Sequence, residues 1–217
     1  MKLFKYQSIN KNSLSGLASG TLWMSKAANF NDPFEFATQP SLTVSTDLPG
    51  QELDDPPRTK LYEDLNGRGV ISLSARDDNI LMWSHYAAEH TGMCLGFEPT
   101  ETFDLSGDKS PFRKVEYSSD LPKVMDYDNF WGTKASVPVL TTKADDWRYE
   151  EEYRIILERG DGSFEYGRVM RLVSVIFGCR AADEDKLLVK RSLGDRSVQF
   201  LEAVMSPHKY RIIICPL

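Results

Sequence analysis

The densest chemistry in the chain is the stretch Trp147-Arg148-Tyr149-Glu150-Glu151-Glu152-Tyr153-Arg154-Ile155-Ile156, where three carboxylates and three aromatic rings run into an apolar segment. Carboxylates this close repel one another unless something holds them. Trp147 and Tyr153 are large enough to anchor the segment in a core or along a pocket, which would fix the carboxylates between them. The apolar end predicts a strand, and its period of two puts Glu150, Glu152 and Arg154 on one face, with Trp147, Tyr149, Tyr153 and Ile155 on the other. A Glu-x-Glu pair ending in Arg is then a candidate site. The competing reading is a solvated acidic surface.

Two further stretches carry polar side chains in constrained settings. In Phe30-Asn31-Asp32-Pro33-Phe34-Glu35, Pro33 bars Asp32 from helical geometry, and Asn31 and Asp32 favour a turn held by their own side chains. Phe30 and Phe34 are expected to pin that turn, as a packed corner or as a polar rim beside a cleft. Along Ile80 to His90 an apolar stripe of Ile80, Trp83 and Ala87, with Tyr86 beside it, predicts a helix capped by Asp77, Asp78 or Asn79 and ended by Gly92. His85 and Glu89 lie four apart on its flank, and His85, with Ser84 and Tyr86 next to it, is either a hydrogen-bonded structural histidine or a catalytic one. Asn31, Asp32, Glu35, Ser84 and Trp147 are the candidate pocket residues.

The elements that must position these groups are short. Leu3 to Tyr6 reads as a first strand, Asn10 to Gly20 as a helix opened by Asn10 or Asn12, and Thr21 to Ser25 as a second strand. Prolines at 40, 49, 56 and 57 predict an irregular excursion or lid over 39–60, followed by a short helix from Arg58 to Leu65. Strands are expected at Gly69–Ser74, Gly92–Glu98, Phe112–Tyr117, Tyr153–Glu158, Leu172–Phe177, Ser197–Val204 and Tyr210–Cys215. Weak helical character runs over 120–135, and a helix capped by Asp183 runs to Gly194. Strands outnumber what regular strand–helix alternation needs, so the expected class is α+β, with a mixed or mostly antiparallel, conceivably split, sheet flanked by short helices in a single domain over 1–217.

Composition narrows the function. At 217 residues, 41% apolar and 27% charged, the chain can bury one substantial core. A formal charge of -6 argues against a broad cationic surface for nonspecific nucleic-acid binding. Cys94, Cys179 and Cys215 are far apart and odd in number, which predicts buried thiols in a reducing compartment rather than disulfides or zinc. Polar residues follow Met1–Tyr6, and no segment reaches ~18 uninterrupted apolar residues, so the expectation is a soluble cytoplasmic protein with no membrane partner. Glycine-rich phosphate loops, the Gly-x-Ser-x-Gly elbow and the His-Glu-x-x-His helix are absent, and with them the usual support for phosphoryl transfer, dinucleotide dehydrogenation and zinc proteolysis.

Four blocks in order, Lys5-Tyr6, Phe30 to Glu35, Met82-Trp83-Ser84-His85-Tyr86 with Gly92, and Trp147 with Glu150, Glu152 and Arg154, resemble the bacterial family called domain of unknown function 2971. A second similarity bears on mechanism. Ser72-Leu73-Ser74 on a strand, followed by Glu150-x-Glu152 entering a strand, resembles the Ser-x-Ser and Glu-x-Glu elements of mono-ADP-ribosyltransferases, in which a split sheet clamps NAD. That resemblance implies NAD as cosubstrate, with Glu152 holding the nicotinamide-ribose hydroxyl and stabilising the oxocarbenium ion, and Glu150 orienting or deprotonating the acceptor. It implies an NAD-contacting set of Tyr6, Ser72, Ser74, Tyr86 and Arg154, with Tyr86 stacking on nicotinamide and Ser72 supporting the strand. Where such enzymes usually carry Arg or His on the first strand, this chain has Lys5 and Tyr6. The acceptor would be protein or nucleic acid, and the setting a toxin or phage-defence effector.

Two other readings compete. Asp32, Glu35, His85 and Glu150 or Glu152 could converge on magnesium or manganese in a hydrolase or nuclease. Alternatively, Asp32, His85 and Glu152 could form a polar network that fixes the core of a noncatalytic binding module. Which applies depends on whether these residues surround one cleft.

Overall fold

The computed structural model describes residues 1–26, 29–38, 56–100, 110–122, 136–158 and 160–217, without the side chains of 56–60 and 62. Most of the expected excursion, 39–55, and most of the weakly helical segment, 123–135, lie outside the described residues. In chain order the elements are β1 (Leu3–Gln7), α1 (Lys11–Ser19), β2 (Thr21–Lys26), α2 (Pro56–Gly67), β3 (Gly69–Ser74), α3 (Ile80–Tyr86), β4 (Met93–Pro99), β5 (Phe112–Lys114), β6 (Glu116–Ser118), α4 (Ser136–Thr141), β7 (Thr142–Ala144), β8 (Glu152–Leu157), β9 (Gly162–Glu165), β10 (Met170–Phe177), α5 (Asp183–Leu193), β11 (Gln199–Met205) and β12 (Ile212–Pro216). The class is the expected one: a mostly antiparallel sheet with several short helices. In the main sheet β10 and β11 form the parallel pair, and α5 is the crossover that such a pair requires.

Local chemistry explains the element ends. Asn10 accepts from the backbone N–H groups of Asn12 and Ser13, and Ser13 returns a bond to the Asn10 N–H, so both ends of a capping box close. Gly20 ends the same helix at φ 71°, a left-handed conformation that favours glycine. Asn79 opens α3 by accepting from Leu81 and Met82. That helix stops at Tyr86, short of its expected end, because Ala88, Glu89 and His90 all adopt left-handed φ. The chain then enters β4 through Gly92, where a Cβ would run into the carbonyls of Gln7 and Ala87. The single strand expected over Phe112–Tyr117 is two strands. It breaks at buried Val115, whose N–H donates to the Glu152 carbonyl.

Alternation along the strands sorts the core onto two faces. Leu3, Ile71, Leu73, Leu95, Phe97, Ile155 and Val175 pack with Leu17 of α1 and Val189 and Leu193 of α5. Phe4, Tyr6, Cys94 and Ile176 point the other way, against Met82, Trp83 and Ala87. A third cluster under α2 and α4 joins Leu61, Leu65, Val139 and Leu140 to Val70 and Phe36. Among the described residues no helix is long and apolar enough to cross a membrane.

One feature of the sheet positions everything that follows. One edge of β3 is covered along its whole length by β8, from Gly69↔Leu157 to Ser74↔Glu152. The other edge is shared: β1 meets it at Phe4↔Ser74, and β2 meets it at Ser25↔Val70 and Lys26↔Gly69. Between those two contacts the sheet forks. At the fork the Lys5 ammonium donates to the Ser72 carbonyl at 3.0 Å, in place of a strand partner.

Candidate functional site

A cavity of about 620 Å³ opens at this fork. Its walls are β1 (Phe4, Lys5, Tyr6), β3 (Ser72, Ser74), α3 (His85, Tyr86), the Asn31–Glu35 turn, and Lys143, Trp147, Glu150 and Glu152. Residues separated by more than a hundred positions therefore share one space. Of the candidates read from the sequence, Ser84 and Arg154 do not line it.

The strand expected from Tyr153 forms, but the segment is not extended as far back as Glu150, as one shared face for Glu150 and Glu152 requires. Asp145–Glu150 forms a 3-10 turn, Glu151 has φ 44°, and β8 begins only at Glu152. Glu150 thus enters the cavity from a turn and Glu152 from a strand, rather than from one pleated face. The turn is tied to β3 at the Glu150 carbonyl, which accepts from Ser74 Oγ at 2.6 Å, and at the Glu151 carbonyl, which accepts from the Ala75 N–H at 3.0 Å. A non-glycine residue at positive φ costs about 1–3 kcal/mol. We expect Glu151→Gly to leave the melting temperature unchanged or raise it, whereas an ordinary strand position would lose stability on the same change.

The aromatic anchors are rearranged too. Trp147 sits on the turn, with its ring 6.0 Å from Tyr149, and donates Nε1–H to Asp32 Oδ2 at 2.7 Å. Asp32 Oδ1 accepts from the Phe34 N–H at 2.9 Å, the side-chain-held turn that the sequence predicts. The pinning rings, however, are Phe30 and Phe36, in edge contact at 4.9 Å, while Phe34 is 70% exposed. The tight turn reverses the chain, so that Phe36 rather than Phe34 reaches the α2–α4 cluster.

Beneath the cavity lies an ion network. Arg154 is fully buried and forks onto Glu152, Nε to Oε1 at 2.8 Å and Nη2 to Oε2 at 3.0 Å. It also bonds the Leu140 carbonyl at 2.7 Å and pairs with Glu35. Four of its five N–H donors are engaged, and the side chain is fully buried and outside the cavity lining. It is the counterion that holds two carboxylates in place. Lys143 completes the network, 2.6 Å from Glu150 and 3.5 Å from both Glu152 and Glu35. Tyr86 donates its hydroxyl to Glu150 Oε1 at 2.7 Å, and the Glu152 N–H donates to Tyr117 Oη at 2.8 Å.

These surroundings push the two cavity carboxylates apart in acidity. Burial raises the Glu150 carboxyl above its ordinary value, and the charge on Glu152 adds to this, outweighing Lys143 and the Tyr86 hydrogen bond. Burial would raise Glu152 as well, but the Arg154 guanidinium, with Lys143 and Ser72, holds it down to about 2. Lys5, desolvated in the fork, is lowered despite the nearby charges of Glu152 and Glu150. The linkage for Glu152 has a definite sign. Its folded pKa lies below the unfolded 4.5, so its contribution is complete above pH 4.5 and drains away as pH falls toward about 2. Urea midpoints measured across that window should fall with acidification, and by less in Glu152→Gln.

His85 is exposed on the cavity wall, with its ring edge-on to Tyr86 at 6.3 Å. The Tyr6 ring lines the cavity, but its hydroxyl turns away to the Arg76 carbonyl at 2.9 Å. Among the described residues no group of three or more His, Cys, Asp and Glu side chains is placed to hold a metal ion.

Lys143 is the participant that the sequence did not single out. It stands in Thr-Thr-Lys-Ala without a motif, and only its position on β7 beside the turn carries it to Glu150.

Residues 82–155 match the family model described as protein of unknown function (DUF2971). The match supports the family resemblance read from the sequence. It runs from α3 to β8 and takes in Tyr86, Lys143, Glu150 and Glu152, whereas Lys5, Ser72 and the Asp32 turn lie before it. No curated protein and no solved structure matches the chain.

Proposed function

We propose that this chain is an NAD-consuming enzyme of the ADP-ribosyltransferase type, acting on NAD and an acceptor at the fork. The observation that carries this reading is the pairing of Glu150 and Glu152 in one cavity, under conditions that raise the acidity constant of one and lower that of the other. Such a pair divides into a proton-transfer group and a permanently charged one. Further support comes from strand order: Lys5 on β1, Ser72 and Ser74 on β3 and Glu152 on β8 lie on neighbouring strands, as a clamp for one ligand requires.

The residues present fit a dinucleotide. Among the described residues the Lys5 ammonium has one hydrogen-bond acceptor, the Ser72 carbonyl, so further N–H donors remain for a diphosphate. NAD supplies a ribose–nicotinamide bond whose electron pair leaves with neutral nicotinamide. Glu152, ionised at neutral pH, sets its negative charge against the positive charge that develops on the ribose as that bond breaks. Glu150, with its raised pKa, takes the proton of the acceptor group whose lone pair forms the new bond to the ribose. Arg154 and Lys143 keep both carboxylates from moving.

The test is release of nicotinamide from NAD, with and without candidate protein and nucleic-acid acceptors, together with calorimetric titration of NAD. Release should rise with pH along a limb displaced above the ordinary carboxylate range, the signature of Glu150. Absence of both release and NAD binding would exclude the reading.

A further inference from the structure

The cavity extends to β2, across β3 from the edge at which β8 carries Glu152. Trp23 lies on β2 between Leu22 and Met24, whose side chains are in the core, so its ring falls on the opposite face of the sheet. There it lines the cavity and is nonetheless 63% exposed. An indole open on a concave, partly apolar wall offers its face to a ligand. Asn29 and Asn31 also line the cavity, both exposed, and among the described residues no hydrogen bond engages either carboxamide.

The register places the β2 wall relative to Glu152. Ser25 pairs with Val70, so β2 carried along β3 would set Trp23 opposite Ser72, while Glu152 pairs with Ser74 across the other edge of β3. Two interstrand spacings of about 4.8 Å and an offset of two residues put Trp23 roughly 12 Å from Glu152, Cα to Cα. The divergence of β2 from β3 adds to that. A nucleoside whose glycosidic bond sits at Glu152 does not extend so far. A second base joined through a diphosphate does.

We propose that Trp23, Asn29 and Asn31 form a purine-base subsite: the indole stacks on the base, the carboxamides hydrogen-bond its edge, and the preferred substrate is a dinucleotide rather than nicotinamide mononucleotide. Stacking on an aromatic face tolerates any base, while an asparagine carboxamide matches the donor–acceptor edge of adenine. The assignment rests on the NAD reading above for its reacting end and on the β2 wall for its own.

Calorimetry with AMP, NAD and nicotinamide mononucleotide tests it on wild type, Trp23→Ala, Trp23→Phe and Asn31→Ala. Trp23→Ala should weaken AMP and NAD by roughly 10- to 100-fold and leave nicotinamide mononucleotide unchanged. Trp23→Phe should recover most of the loss, and Asn31→Ala should weaken AMP several-fold. Ligand-free melting curves verify that each variant is folded, and if Trp23→Ala is not, Trp23→Leu, which keeps an apolar side chain but no aromatic face, and Asn31→Ala decide. Unchanged AMP and NAD affinity in the folded variants that lack the aromatic ring or the Asn31 carboxamide, or no AMP binding by wild type at millimolar concentration, overturns the subsite. If AMP binds and Trp23→Ala abolishes it, yet wild type releases no nicotinamide from NAD, the subsite stands and the ADP-ribosyl reading falls.

Discussion

Replacing Arg154 by leucine is expected to destabilise the protein by about 3–5 kcal/mol, because it leaves buried carboxylates without their counterion. Arg154 is fully buried, and the side chains it serves, Glu35 and Glu152, are nearly so. Lys143 alone cannot replace it: its contacts to those two carboxylates are 3.5 Å, and its closest bond goes to Glu150. Arg154→Lys should recover only part of the loss, since an ammonium cannot fork onto both oxygens of Glu152 while also reaching Glu35 and the Leu140 carbonyl. Urea denaturation at neutral pH measures both variants. A loss below about 1 kcal/mol for Arg154→Leu would place the pair in the class of weak surface bridges and remove the counterion role. Glu152 should at the same time titrate upward, because the largest influence opposing its burial has gone.

Glu152→Gln is expected to reduce nicotinamide release by roughly 10²–10³-fold or more, the scale on which preplaced charge acts in a transition state. The substitution keeps size and shape but removes the charge that, in the proposed reaction, faces the ribose. It also weakens the Arg154 fork, costing about 1.5–3 kcal/mol of stability. The two effects separate experimentally. NAD affinity should change little, and the rate should collapse under conditions where melting curves show the variant fully folded. A variant that loses stability alone, with release intact, would leave Glu152 as part of the core network and shift the chemistry elsewhere in the cavity.

Much of the fold was legible because it is decided within a few residues. The Asn10 and Asn79 caps, the Gly20 stop, the alternation of Gly69–Ser74 and the apolar run of β10 depend on local hydrogen bonds and periodicity, and the elements stand where those signals put them. The Asp32 turn was legible for the same reason. Its aromatic partner was not, since the choice between Phe34 and Phe36 depends on the distant α2–α4 cluster. The turn at Glu150 was hidden for a related cause. No glycine marks the left-handed residue, and the conformation is held by bonds to Ser74, at the end of β3, and to Ala75 just beyond it.

The site divides along the same line. By itself the amino-acid order determined which groups can do chemistry: paired glutamates, an arginine two residues on, serines on a strand and aromatics beside them. Only the tertiary structure decided what each does. Arg154 became a buried counterion because β8 passes beneath the cavity, and Lys143 joined because β7 ends beside the turn. The cavity itself exists because β1 and β2 divide one edge of β3 between them. Strand pairing between residues far apart in the chain leaves no trace in local periodicity, and the charge and solvation of a carboxylate depend on those partners, so the acidity of Glu150 and Glu152 could be read only once they had met.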